Sequence, residues 1–334
     1  MSLQEFDIAN SVKKFIEYNE IDRNFMNYDK KLRYLDKKLE KWLSHIDSED
    51  KKVFMKLFEK FLYYDRVKII EDMESLYKKY KTIEEEFSDT IFLPVVSFGG
   101  VLNGAISMIE CFKEATCDEK YVSKKHIATQ PQDFNNEFDI TKVKNIVLID
   151  DVIGTGDTLI DSLYRLISTS PELLNNKKIY ILSLINLKKG IENVKRFSKE
   201  KEWDLRFIND SYIESIFLNE NLYPNETGAR EDKKIIRKYE RKIASRNIDI
   251  MGYRRSEALL AFYFNTPNNT LSTFWNKVDN EWSPFFPRDK DDVIFLKKKE
   301  NSLDKIREMK ELKKSKQYFL AKFMNEEKQS RGIL

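Results

Sequence analysis

The stretch VLIDDVIGTGDTL, residues 147–159, decides how the rest of the chain is read. Ile146 to Ile149 are four consecutive apolar residues, the pattern of a strand buried on both faces. Asp150 and Asp151 follow, and then Gly154-Thr155-Gly156-Asp157-Thr158 leads into a helical pattern. A small-residue loop at a helix start leaves backbone N–H groups pointing outward, and the helix dipole adds partial positive charge. A phosphate is well held in such a place. Thr155 and Thr158 add hydroxyl donors. Two carboxylates just upstream would repel that phosphate unless they face sugar hydroxyls or a divalent cation. The combination fits a phosphorylated sugar, with phosphate on the loop and diol or metal on the aspartates.

Three other motifs fail here. A Walker A loop needs Lys where this chain has none, and a dinucleotide fingerprint needs Gly or Ala at the place of Leu159. A phosphatase-type Asp-x-Asp would need an acid at Ile153. The plain alternative is a strand that ends in a solvated acid pair before a turn. It requires the apolar run, the acids, the small-residue loop and the threonines to coincide without purpose.

Outward from this stretch, IFLPVVSF (91–98) reads as a strand and GGVLNGAISMIECFKEA (99–115) as a turn and helix. YVSKKHIA (121–128) has strand character, and a helix is expected from about Asp157 to Ser168. KKIYILSLIN (177–186) reads as a buried strand, KKGIENVKRFSKE (188–200) as a helix and WDLRFIN (203–209) as a further strand. Such alternation predicts a mostly parallel sheet with helices on its faces. Ligands in these sheets bind at the carboxyl ends of strands, near a switch in strand order. The loops after Phe98 and after Asp151 both lie at such ends.

Residues 1–85 read as a helical region. Leu32, Leu35, Leu39, Trp42 and Leu43 recur at helical spacing, as do Phe54, Leu57, Phe58, Phe61 and Leu62, with a turn and cap expected at Ser48-Glu49-Asp50. Residues 86–212 form the α/β core and 213–334 a C-terminal extension. That extension opens on a charged helix (230–247) and continues through SEALLAFYFNTPNNTLSTFWNKVDNEWSPFFPR (256–288). The second stretch reads as an apolar helix or strand, an Asn/Pro turn and an aromatic-rich segment. Its last part, Lys297 to Leu334, carries 12 Lys and Arg against 6 Asp and Glu, a net of +6 in a chain whose total is +3. Such a tail suits nucleic acid or a solvated helix face.

Composition narrows the class. Of 334 residues 41% are hydrophobic and 34% charged, which fits a globular chain with a sizeable core. MSLQEFDIAN has neither a basic start nor a long apolar region, and no apolar run approaches 18 residues. The expectation is a cytoplasmic protein with no membrane span. Two histidines and two cysteines argue against a His/Cys metal site, and Cys111 and Cys117 are expected to be buried or half-buried thiols.

The 147–159 stretch closely resembles the phosphoribosyl pyrophosphate (PRPP) motif of type I phosphoribosyltransferases. That resemblance implies an α/β fold: a parallel-sheet type I phosphoribosyltransferase-like core with helical N-terminal and C-terminal additions. It implies that Asp150 and Asp151 contact the ribose hydroxyls, directly or through Mg²⁺, and that Gly154, Thr155, Gly156, Asp157 and Thr158 cradle the 5′-phosphate. VVSFGGVLNGA (95–105) resembles the family's pyrophosphate loop, here Ser97, Phe98, Gly99 and Gly100. YVSKKHIATQ occupies the place of its catalytic loop, so Lys124 and Lys125, with His126, would neutralise the leaving pyrophosphate.

The chain departs from the family at Gly154, where purine-using members commonly carry an acid. In length, and in FYFNTPNNTLSTFW (262–275), it resembles the phosphoribosyltransferase-like effectors of bacterial conflict systems, some of which accompany retron reverse transcriptases. That narrower resemblance implies an anti-phage toxin. A reverse transcriptase–nucleic-acid complex or a small winged-helix protein would control it, and the effector would be an oligomer. In the same segment Asn269 and Trp275 are candidates to read and stack a base. The contrasting reading is a regulator that senses PRPP or a nucleotide without turnover.

Overall fold

The computed structural model describes residues 7–24, 26–84, 89–96, 104–118, 126–128, 142–170, 173 and 177–288. Four parallel strands form the central sheet: β2 (Thr90–Pro94), β3 (Asn145–Ile153), β4 (Lys178–Asn186) and β5 (Asp204–Phe207), in that spatial order. Their register places Ile91 beside Ile146, Ile149 beside Leu182 and Ile181 beside Phe207. Ile127 bridges Phe92 in parallel, while Phe92 also pairs with Val147 of β3. The chain therefore visits one side of β2 before β3 takes the other, so the strand order reverses between β2 and β3. That reversal opens a crevice at the carboxyl ends of these two strands.

Side-chain alternation sorts the apolar residues to two faces. Ile146, Leu148, Ile179 and Ile181 pack on α6 (Asp157–Thr169) and α7 (Lys188–Glu200), through Leu163, Tyr164 and Phe197. Val147, Ile149, Tyr180 and Leu182 face α4 (Arg66–Ile83) and α5 (Ala105–Ala115), through Tyr77, Tyr80, Met108 and Phe112. With both faces covered, β2, β3 and β4 carry near-continuous apolar runs, whereas the outer strand β5 exposes Asp204 and Arg206.

A third core joins the N-terminal helices to residues 274–286. Phe15 of α1 (Ile8–Tyr18), Trp42 of α2 (Leu35–Leu43) and Phe58 of α3 (Lys51–Phe58) share it with Phe274, Trp282, Phe285 and Phe286. Phe274 belongs to the short helix α9 (Ser272–Trp275). Beside this core, β1 (Leu62–Tyr64) pairs in parallel with β6 (Leu260–Phe262). The helix expected through Leu62 ends at Phe58, because residues 62–64 give their backbone to that pairing.

The charged helix is α8 (Glu226–Ile243). Its Glu240 is fully buried and accepts the backbone N–H groups of Met251 (2.8 Å) and Thr273 (2.6 Å). Burial pushes its carboxyl up to about 7. One side chain thus ties α8 to the loop at 251 and to α9. Cys111 is buried inside α5, whereas Cys117 is exposed, because it lies in the turn just past the helix end. The basic segment 297–334 lies outside the described residues.

Candidate functional site

The site lies where β3 runs out. Asp150 is buried near its end, and its Oδ1 accepts the Asp151 N–H at 3.0 Å. Asp151 Oδ1 in turn accepts the Val152 N–H at 2.7 Å. Loss of water drives the Asp150 carboxyl well above its ordinary range, and the neighbouring Asp151 charge adds to the shift. Asp151 is also raised by burial, opposed by the Val152 N–H and the Arg288 charge. Its carboxylate lies against Gly104 at the start of α5, where a Cβ would fall 2.5 Å from Oδ2. Two adjacent carboxylates whose charge is penalised by burial favour a ligand that brings hydroxyl donors or positive charge.

The loop that follows is shaped by close backbone approach. Gly156, with φ +83°, is the residue that caps α6, and a side chain there would meet Val194 and the Gly190 carbonyl. Gly190 itself packs on the Ile153 and Gly154 carbonyls, and Asn193 Nδ2 donates to the Thr155 carbonyl at 3.0 Å. The first turn of α7 therefore buttresses the loop and leaves the N–H groups at the start of α6 as its open side. No local sequence pattern identifies Gly190 or Asn193. Only the packing of α7 under the loop does so.

The opposite wall comes from the C-terminal segment. A cavity of about 340 Å³ is lined by Asp150, residues 152–159 and Asp161, and across from them by Arg246, Tyr253, Arg254, Asn268 and Asn269. Asp157 Oδ2 takes both the Tyr253 hydroxyl (3.1 Å) and Arg254 Nη2 (3.1 Å). Asp157 Oδ1 and Arg254 Nε are buried with no hydrogen-bond partner among the described residues. The ion pair is thus incomplete on both sides. Arg246 is held by Asp249, with contacts of 2.7 and 2.9 Å.

The structure brings Asp150 and Gly154 to Thr158 together with Asn269 around one cavity. Asn269 lies on Gly154, so close that a Cβ on the glycine would sit 2.2 Å from Nδ2. Trp275 does not line this cavity. It is buried, its indole N–H donates to the Thr270 carbonyl at 2.8 Å, and Arg288 lies over its ring at 5.9 Å. Arg288 covers the face a base would need, and it links Trp275 to the Asp151 charge. Ser97, Phe98, Gly99 and Gly100, and Lys124 and Lys125, lie outside the described residues.

No helix among the described residues is long and apolar enough to cross a membrane. Nor do they contain a cluster of three or more His, Cys, Asp or Glu suited to a metal. The acid pair alone is a two-carboxylate donor set. Mg²⁺ accepts such a set, since it keeps several waters and shares its shell with substrate phosphates.

A model of the PRTase-CE family matches residues 39–288 of this chain. The match spans the sheet, the acid pair, the loop and the C-terminal wall. No curated protein and no solved structure matches the chain.

Proposed function

The chain belongs to the PRTase-CE family, a phosphoribosyltransferase-type family, and from that premise we propose that it acts on PRPP or a related phosphoribosyl compound. The carrying observation is the juxtaposition of Asp150 and the loop 154–158 around one cavity. In this reading the 5′-phosphate rests on the N–H groups at the start of α6, with Thr155 and Thr158 as hydroxyl donors. Asp150 and Asp151 hold the ribose hydroxyls, directly or through Mg²⁺. When bound, Mg²⁺ supplies positive charge that stabilises a departing pyrophosphate. Ser97 to Gly100 would admit that pyrophosphate, and Lys124 and Lys125 would neutralise it.

The bond between C1′ and the pyrophosphate oxygen breaks, and the oxygen keeps the electron pair. A base, a nucleotide, a macromolecule or water then forms the new bond at C1′. The sugar passes through a cation-like state, so the residues that hold it act mainly by orientation and electrostatics. The likeness of residues 262–275 to conflict-system effectors supports a role in anti-phage defence. The protein would be a toxin held in check by a reverse transcriptase–nucleic-acid complex or a small winged-helix protein, and would act as an oligomer in the cytoplasm.

One observation favours a second reading. Gly154 offers no side chain to serve as a base, and Asn269 fills its place. A sensor that binds PRPP or a nucleotide without turnover needs no such base. Pyrophosphate release from PRPP and Mg²⁺, with and without the partner, decides between them. Release supports the enzyme. Saturable binding with no product supports the sensor, and absence of both contradicts the phosphoribosyl reading.

A further inference from the structure

Asn269 presents an unusual balance of constraints. Its backbone carbonyl accepts the Ser256 hydroxyl at 2.8 Å and the Ala258 N–H at 3.1 Å. Gly252, with φ +75°, lets the chain pass so close that a Cβ there would fall 2.2 Å from that carbonyl oxygen. The residue is only 7% exposed. Yet its side-chain amide makes no hydrogen bond to any described residue, and it faces the cavity wall formed with Gly154. Anchored through its backbone and spending no hydrogen bond on the protein, the amide stands open at the cavity wall, where a ligand can pair with it.

Position identifies the part of the ligand. Gly154 stands between the acid pair and the N-terminus of α6. A ligand with its hydroxyls on Asp150 and its phosphate at the start of α6 therefore carries the sugar itself past Gly154. We propose that Asn269 is a specificity-determining residue of this site, whose amide hydrogen-bonds the sugar of a sugar phosphate. The inference rests on the phosphoribosyl reading and deepens it. It also accounts for the glycine at 154. Any side chain there would collide with the amide, within 2.2–2.3 Å of its atoms. A neutral donor–acceptor from a distant segment thus stands where a local acid would otherwise be.

Two probes separate this role from simple packing: ribose 5-phosphate and inorganic phosphate, each titrated into the full chain with Mg²⁺. Asn269→Ala weakens ribose 5-phosphate by about tenfold, the loss expected for one ligand hydrogen bond, and changes inorganic phosphate by less than about twofold. Gly154→Ala weakens ribose 5-phosphate similarly, because its Cβ displaces the amide. The two substitutions together add little to either alone. Asn269→Leu keeps the branching and number of heavy atoms without the amide and behaves like Asn269→Ala, which covers the case in which alanine loosens the fold. Unchanged ribose 5-phosphate affinity in both Asn269 variants overturns the proposal and leaves the phosphoribosyl reading standing. Equal loss of both probes overturns it in the same way. If the unaltered protein binds neither probe, both readings fall.

Discussion

Gly156 and Arg254 line the same cavity, and both have positive φ, +83° and +52°. The glycine adopts that conformation without strain, whereas the arginine does so at a cost. The contrast extends to the walls on which they sit. On the sheet side, the loop is a backbone cradle at a helix start, buttressed by Gly190 and Asn193. On the C-terminal side, Met251, Arg254, Arg255 and Glu257 all have positive φ within seven residues. Glu240 holds Met251 and Asp157 holds Arg254 from outside, and the Asn269 carbonyl holds Ser256, which lies between Arg255 and Glu257. One wall offers open backbone N–H groups, the generic anion site of the proposed reading. The other is strained and depends on distant residues, and it carries the side chains able to discriminate between ligands.

Substitutions on each side should therefore fail differently. The largest effect is expected at the acid pair. Asp150→Asn/Asp151→Asn should abolish ligand binding and any turnover, yet raise the melting temperature by several degrees, since it removes a buried and an adjacent half-buried carboxylate. A melting scan beside a binding assay checks both parts, and a destabilised double variant would count against the site as drawn. Gly156→Ala comes next. A Cβ at positive φ, 2.9 Å from Val194 and 3.1 Å from the Gly190 carbonyl, should cost about 2 kcal/mol in denaturant unfolding. It should also weaken phosphate binding, because the cradle must open.

The strut under the strained wall gives a pH signature. Glu240 titrates at about 7 in the folded protein, against 4.5 for an unperturbed carboxyl. The folded chain therefore keeps a proton that the unfolded chain has released, and stability falls as pH rises through that window. Between pH 6 and 8 the loss should be about 1 kcal/mol. Glu240→Gln should flatten this dependence, as read from chemical unfolding at the two pH values. The smallest effect is expected at Arg255, which is exposed with φ +57°. Arg255→Gly should stabilise the protein by about 0.5 kcal/mol through relief of strain. No gain there would mean that the wall is less strained than its backbone indicates.

The sheet-side wall was legible in the sequence, whereas of the C-terminal wall only Asn269 was. β3, α6, α7 and the alternation of strands and helices along the chain follow from apolar runs and periodicity, because each pattern is local. β1 escaped notice because three residues continue the helical spacing of Phe54 to Phe58. Of the turn and cap read at Ser48-Glu49-Asp50, Asp50 takes the N-cap position of α3, yet its carboxylate accepts the Tyr239 hydroxyl at 2.8 Å and Lys238 Nζ at 3.0 Å in place of a backbone N–H. The contact of Asn269 with Gly154 joins residues far apart in the chain, and no spacing encodes it. Phe274, Trp282, Phe285 and Phe286 seal the core shared with the N-terminal helices, and from this segment only the amides of Asn268 and Asn269 reach the cavity.

Calorimetric titration of PRPP in the presence of Mg²⁺, on the unaltered chain and on Asp150→Asn/Asp151→Asn, tests the central claim most directly. Saturable binding to the first and none to a folded second is the predicted result. No binding to the unaltered chain, or equal binding to both, would contradict a phosphoribosyl site at the end of β3.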